Sequence, residues 1–515
     1  MMPQGSLPFQ YKIEKSESGL TSFAGLPLYI EMAMATGLCK KIDKDLNTKS
    51  RGWTDLQVIL PLILLNLAGG DCVDDIERLE RDEGMRNLML KIETHGMKRK
   101  ARREYERRWR KLNERAFPSA AAIHRYLEQF HNDSEEKIRA EHTAFIPANN
   151  QFLDALMGIN STLIEFSQKK NLRKTATLDQ DATLSATSKN KALYCYKNFK
   201  AYQPFNTYWH EKGLLLHSEF RDGNVNAGFE QLRLLIEAIS QLPQGVEKVY
   251  LRSDSAGYQH DLLEYCAEGK NERFGVIEFA IAARVTDAFK TAVFEIKNEA
   301  WQSIYKTDEK GNHFKTDQEW AEVCFVPTFV GSDKKSPNYR YLAIRERMAT
   351  QIEMELAGAE SIPKELPFQT LPMNNVQYKL FGIVTNRTID GNELINWHRE
   401  RCGDSEKVHS VEKTDLAGGQ FPSNKFGANA AWWQIMLLSF NLNHLMKTLV
   451  MPEKLRTKRL KGIRFHVIGV AGRLIQHARG LMIKLSGGAE TVELFNQMRN
   501  KIMVLGQAPP AMQGT

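Results

Sequence analysis

TATLDQDATLSA, residues 175–186, reads as a β-strand that carries two acids. Side chains alternate along a strand, so Asp179 and Asp181, two apart, point to the same face. Downstream, GLLLHSEF from Gly213 is a second strand, and NAGFEQLRLLIEAISQLP from Asn226 is an amphipathic helix that stops at Pro243. EKVYLRSD is a strand that ends on Asp254, YQHDLLEYCAE is a short helix, and FGVIEFAIAAR is another strand. Strands and helices alternating in this order imply an α/β sheet with a parallel part. In such sheets active sites gather at the carboxyl ends of the strands, where Asp181 and Asp254 lie.

Outward from this core the texture changes on both sides. Residues 1–150 read as helical. TDLQVILPLILLNLAGG offers Thr54 and Asp55 as N-cap candidates and closes on Gly69 and Gly70. AAAIHRYLEQFH, after Pro118, is entered through a cap at Ser119. Between them, Lys98 to Lys111 holds nine Lys or Arg with Tyr105 and Trp109 interleaved. That run is a solvated helix face, a disordered loop, or a surface that neutralises DNA phosphates. Residues 286–390 break the α/β alternation: EVCFVPTFV, YRYLAIRE and VQYKLFGIVTN are strand-like and suggest a separate β-rich piece. Helices return from 391, and residues 451–515 are basic again, with a final ten that have little to pack against.

The chain has 515 residues and a formal net charge of +8, enough for several domains but only modestly basic. Its six cysteines form no CxxC pair, which argues against a zinc ribbon or a dense disulfide framework and for a reduced, cytoplasmic chain. The N-terminal MMPQGSLPFQYKIEK has no apolar h-region. Two apolar stretches, one from Leu56 and one from Ala428, are either too short or too rich in polar groups for a membrane span; both read as buried helices.

Three blocks together carry a resemblance. TATLDQDATLSATSKNKALYCYKNFKAYQPF, VYLRSDSAGYQHDLL and RCGDSEKVHSVEKTDLAGGQFP resemble the catalytic blocks of ribonuclease H-like DDE transposases from bacterial insertion sequences, with insertion sequence family thirteen-eighty the nearest in pattern. The N-terminal TSFAGLPLYIEMAMATGLCKKID and LAGGDCVDDIERLERDEGM are similar to that family too, so the likeness spans most of the chain.

The resemblance implies a ribonuclease H-like core in two parts, 170–285 and 391–450. The β-rich segment 286–390 is then an insertion domain, residues 1–150 a helical DNA-binding region and 451–515 a basic C-terminal region. It implies that Asp181, Asp254 and Glu406 are the catalytic carboxylates, with Asp179 as the competing candidate for the first. Two Mg²⁺ or Mn²⁺ ions are the implied cofactors, in keeping with an all-oxygen donor set. Lys413 fits a Glu–six–Lys spacing. Arg401 stands one residue farther from Glu406 than the family signature places its arginine, and His398 or Trp397 stands where that signature has tyrosine. Arg401 and Lys413 are the implied DNA contacts. Trp301 and Trp320, in the insertion, are either base-stacking residues or core. The implied partners are terminal inverted repeats, target DNA and a second copy in a homodimer. The implied reaction is two-metal phosphodiester cleavage followed by strand transfer. A nuclease of the same fold that cuts without joining, and an inactive DNA-binding relative, remain as alternatives. A sugar-cleaving hydrolase has no motif in its favour.

Overall fold

The computed structural model describes residues 19–48, 52–94, 97–112, 115–140, 143–308, 310–327, 339–348, 369–373, 376–477 and 480–507. The N-terminal stretch to 18, the side chains of Tyr105 and Trp109, the end of EVCFVPTFV and the residues from 508 lie outside these.

The helical N-terminal part comprises α1 (Leu26–Ala35), α2 (Leu38–Asp45), α3 (Asp55–Ala68), α4 (Ile76–Arg81), α5 (Glu83–Glu93), α6 (Arg99–Leu112), α7 (Ala120–Leu127) and α8 (Gln151–Lys170). Local signals set their ends. Thr54 caps α3 in a reciprocal capping box with Gln57, and Gly69, at φ 99°, closes it. Ser119 accepts from the Ala122 N–H at the start of α7, and Asn150 accepts from Phe152 and Leu153 at the start of α8. The basic run does form a helix, α6.

One large mixed sheet organises the rest. Its strands are β2 (Thr175–Ala182), β5 (Phe205–Trp209), β6 (Leu214–Glu219), β7 (Lys248–Ser253), β8 (Glu278–Ala283), β9 (Gln302–Thr307), β10 (His313–Val323), β11 (Arg340–Arg347), β12 (Thr370–Met373) and β13 (Val376–Thr385). A two-residue β1 (Leu20–Thr21) precedes them, and β3 (Ser185–Ala186) pairs with β4 (Ala201–Tyr202) separately. The order across the sheet is β6-β5-β2-β7-β8-β13-β11-β10-β9, with β12 on β13. β2, β7 and β8 are mutually parallel; β5 runs antiparallel to β2 and β6 antiparallel to β5 on one side, and β13 runs antiparallel to β8 on the other. The strands of 286–390 are thus not detached, because β13 joins β8 through the register Gly382↔Ala283 to Thr385↔Ala280.

Helices cover both faces. On one, α9 (Gln231–Ser240) sends Gln231 to hydrogen-bond Gln180 at 3.1 Å and Ser253 at 2.9 Å; α10 (His260–Ala267) packs beside α9, and α11 (Asp287–Phe294) follows β8. Asp179, Asp181 and Arg252 alternate with Gln180 and Ser253, so they face the other way. Over that second face run α12 (Gly391–Ser410) and α13 (Phe426–Leu445).

α13 is buried nearly all round, as a helix without a polar face must be. Its polar groups are paired: Asn441 donates to Asn160 at 2.7 Å, Gln434 to the Ser218 carbonyl at 2.8 Å, and Asn443 accepts from Tyr29 at 2.8 Å. α3 packs against it and is buried as well. Both apolar stretches are therefore core helices, and no single described helix is long and apolar enough to cross a membrane. A hairpin of β14 (Gly472–His477) and β15 (Gly480–Leu485) pairs with β1, and α14 (Ala489–Gly506) packs on α1, so the first and last described elements lie together.

Candidate active site

The register of β2 and β7 builds the centre. Asp179 lies opposite Arg252 and Gln180 opposite Ser253, an offset of 73 residues at every pair. The same offset separates Asp181 from Asp254. Both leave the carboxyl ends of adjacent parallel strands, roughly 5 Å apart in the pairing direction. Asp254 is half-buried and its carboxylate accepts the Ala256 N–H at 3.0 Å, holding the turn that follows β7.

The competing acid has a different setting. Asp179 is buried, and Arg252 grips it with two hydrogen bonds, Nε to Oδ1 at 2.6 Å and Nη2 to Oδ2 at 2.8 Å. Arg252 also donates to the Trp397 carbonyl at 2.6 Å and to Glu400 at 2.9 Å, tying α12 down on β2 and β7. Burial pushes the Asp179 carboxyl up while Arg252 opposes. A carboxylate engaged this way on both oxygens has little left for a ligand. Asp181, two residues on, is less enclosed: its side chain is 24% exposed, and one oxygen accepts the Ala182 N–H at 3.0 Å.

α12 brings cations to this pair. Its inward stripe is Leu394, His398, Arg401, Ser405 and Val408, all buried at three- and four-residue spacing. His398 bonds the Ser253 carbonyl at 3.1 Å, and burial, with Arg401 adding to it, pushes the ring down to about 3, which keeps it neutral. Arg401 Nη1 lies 3.4 Å from Asp181 Oδ2. Burial raises the Asp181 carboxyl to about 6; Arg401 opposes, while Asp254 and Asp179 add to the rise. Lys413 also senses Asp181: burial lowers its ammonium, and Glu412 and Asp181 counteract. The structure therefore sets Arg401 against Asp181 and Asp254 at the end of the neighbouring strand, while Lys413 follows in the turn after α12.

Glu406 stands apart from the inward stripe. It is exposed on α12, one residue beyond Ser405 and between Arg401 and Lys413 in sequence. Asp181, Asp254 and Glu406 do not close to within 4.8 Å of one another. A second glutamate, not anticipated from the sequence, occupies the inner position. Glu412 continues the stripe four residues after Val408, where α12 passes into a π-helical turn over Val411–Asp415. It is fully buried, accepts from Asn206 at 2.8 Å, and leaves Oε2 without a hydrogen-bond partner among the described residues. Asn206 lies across from Asp181 on β5. Burial, with a smaller contribution from Asp181, raises Glu412 to about 8, against Asn206 and Lys413.

The two tryptophans of 286–390 are core residues. Trp301 is buried beneath the Arg345 guanidinium, 4.1 Å from its ring, and Trp320 packs among Ile304, Leu342, Ile344 and Leu394.

Two neighbouring acids thus stand at the ends of adjacent parallel strands, with Arg401 against one of them. The chain belongs to the Transposase DDE domain group 1 family, whose model matches residues 9–507. That membership makes it a DDE transposase, an enzyme class that cuts DNA. A cryo-EM structure of a piggyBac transposase synaptic complex with hairpin DNA matches at 9% identity and a TM-score of 0.40, over 97% of this chain and 89% of that one. No curated protein matches the chain.

Proposed function

We propose that the protein cuts the ends of a transposable element and joins them to target DNA in one site, with Asp181, Asp254 and Glu406 as its carboxylates. The observation that carries this reading is the placement of Asp181 and Asp254 just beyond the last β2–β7 pair, Gln180↔Ser253, with Arg401 against Asp181. On this reading β6-β5-β2-β7-β8 is a ribonuclease H-like core, 286–390 is an insertion that extends its sheet, and the element is an insertion sequence of family thirteen-eighty in a bacterium.

DDE transposase domains use divalent metals, and the residues present suit one. The donors are oxygens only, as Mg²⁺ and Mn²⁺ prefer. Asp254 and Asp179 disfavour the charge on Asp181, a repulsion that a cation between the carboxylates would relieve. Asp181, Asp254 and Glu406 would hold two ions, which when bound supply charge neutralisation and an activated water. The chain's own groups do the positioning. Arg252 fixes α12 to the strands through Asp179, Glu400 and the Trp397 carbonyl. Arg401 orients Asp181 and presents positive charge beside the position of a phosphate. Lys413, in the turn that also carries Glu412, would supply a second cation. α6 offers a basic helix for duplex binding, with terminal inverted repeats and target DNA as ligands in a homodimer.

The test is a strand-transfer assay with DNA carrying the element's own ends and Mg²⁺. Joined product from the wild type, and none from Asp181→Asn or Asp254→Asn, is expected. Nicks without joined product would replace transposition by hydrolysis alone, and a wild type that neither nicks nor joins while binding DNA would make it an inactive relative.

A further inference from the structure

Beyond Asp181 the chain leaves β2, forms β3 and then a compact finger over residues 187–200 before returning in β4. The finger is closed by Thr187 N–H to the Lys200 carbonyl at 2.9 Å and by a Tyr194–Lys200 bridge. At its tip Cys195 and Phe199 pair at 2.9 Å, Asn198 bonds back to the Cys195 carbonyl at 2.9 Å, and Asn198 takes a left-handed φ of 61°. Its base is pinned. Ser185 donates to the Gly418 carbonyl at 3.1 Å, the Asn190 N–H to Asn424 at 3.1 Å, and Arg139 to the Lys191 carbonyl at 3.0 Å. Ala192 and Cys195 are buried against the body.

The finger is thus a built element, yet it turns aromatic rings outward. Tyr196 is 73% exposed and Tyr194 52%, with Phe199 exposed beside them. Residues 187–200 contain four lysines and no acid. Lys197 lies 5.6 Å from the Tyr196 ring centre and Lys200 5.7 Å from that of Tyr194. The finger leaves β2 just after Asp181, and its base bonds Gly418, shortly beyond the turn that carries Glu412 and Lys413, which sets it on the Asp181 side of the site. Lys191 is paired with Glu136 at 3.3 Å, but the exposed rings and the other lysines offer what single-stranded nucleic acid recognition requires: ring faces for bases and cations for the backbone.

We propose that this finger takes up unpaired bases of the DNA strand next to the scissile phosphate by stacking them on Tyr196 and Tyr194. The inference rests on the cleavage site proposed above. It adds that the duplex is opened there, and that the tyrosines, rather than the buried Trp301 and Trp320, receive the bases.

The experiment measures binding of the full chain, with Mg²⁺ omitted, to two probes of equal length: a fully paired duplex, and a duplex ending in two non-complementary oligo-dT arms. The wild type is expected to prefer the splayed probe by about tenfold or more. The Tyr194→Ala, Tyr196→Ala double variant should bind both probes equally, with an unchanged melting temperature, since both side chains are exposed. The matching pair of Tyr→Phe changes should keep the preference. Equal binding of both probes by the wild type, or a preference surviving in the alanine pair, overturns the proposal. Loss of the preference in the phenylalanine pair overturns it too, because stacking does not need the hydroxyl. Mg²⁺-dependent nicking by the wild type, compared with Asp254→Asn, reports separately on the cleavage site, so failure of one reading does not hide failure of the other.

Discussion

Glu412→Gln removes an ionisable group without changing its shape much, and the structure gives the size of the effect. Glu412 is fully buried and one of its oxygens has no hydrogen-bond partner among the described residues. Its carboxyl is raised from 4.5 to about 8, chiefly by burial. The folded state therefore binds the proton more tightly than the unfolded state. Stability from this group is fully present below the unfolded value and is lost as pH climbs toward the folded one. Between these limits the loss is about 1.4 kcal/mol per pH unit, or on the order of 5 kcal/mol across the window. Glutamine stays neutral and can still accept from Asn206, so it stands in for the protonated form. The two proteins should be nearly equally stable at about pH 5. By about pH 8 the variant should be the more stable by several kcal/mol. Asp181, raised to about 6, titrates in both proteins and largely cancels in the difference. Urea unfolding of both proteins in metal-free buffer, stepped across that range, measures the gap. A gap that stays flat, or that widens toward acid, would refute the assignment of Glu412 as a buried, protonated carboxyl.

Asp254→Asn should cost several powers of ten in Mg²⁺-dependent nicking while leaving DNA affinity level or higher, since a negative charge beside phosphate is removed; nicking and gel-shift assays on one preparation check both. Glu406→Gln should fall as far as Asp254→Asn, and Glu412→Gln much less far. The reverse order would transfer the third carboxylate's role to Glu412. Arg252→Met leaves Asp179 buried without its partner and should destabilise by about 3–5 kcal/mol in urea titrations at pH 7. A loss below about 1 kcal/mol would mean that the pair is not what holds α12 to the strands.

How much of this was legible in the sequence depends on how local each signal is. Period-2 alternation and a terminal acid located β2 and β7, and with them Asp181 and Asp254. A capping box and an apolar run located α3. β5 was missed because FNTYW follows a proline and mixes Asn206 and Thr207 into its apolar residues; it becomes a strand only by lying against β2. The place of 286–390 was missed for a related reason. Its strands alternate well, but the pairing of β13 with β8 joins segments about a hundred residues apart and leaves no mark in either. Asp179 and Asp181 are equivalent by alternation alone. What separates them is Arg252, whose side chain reaches one and not the other. Glu412 had a fainter signal. The stripe 394, 398, 401, 405, 408 continues to 412 at helical spacing, whereas the Glu–six–Lys spacing drew attention to Glu406. A carboxylate on an inward stripe is a poor core residue unless something receives it, and here the recipient is Asn206, 206 residues earlier in the chain. The site is thus written in two kinds of information. Short patterns name the acids at the strand ends. Distant partners decide which of the neighbouring acids is clamped by an arginine, which is buried, and which remains open to a ligand.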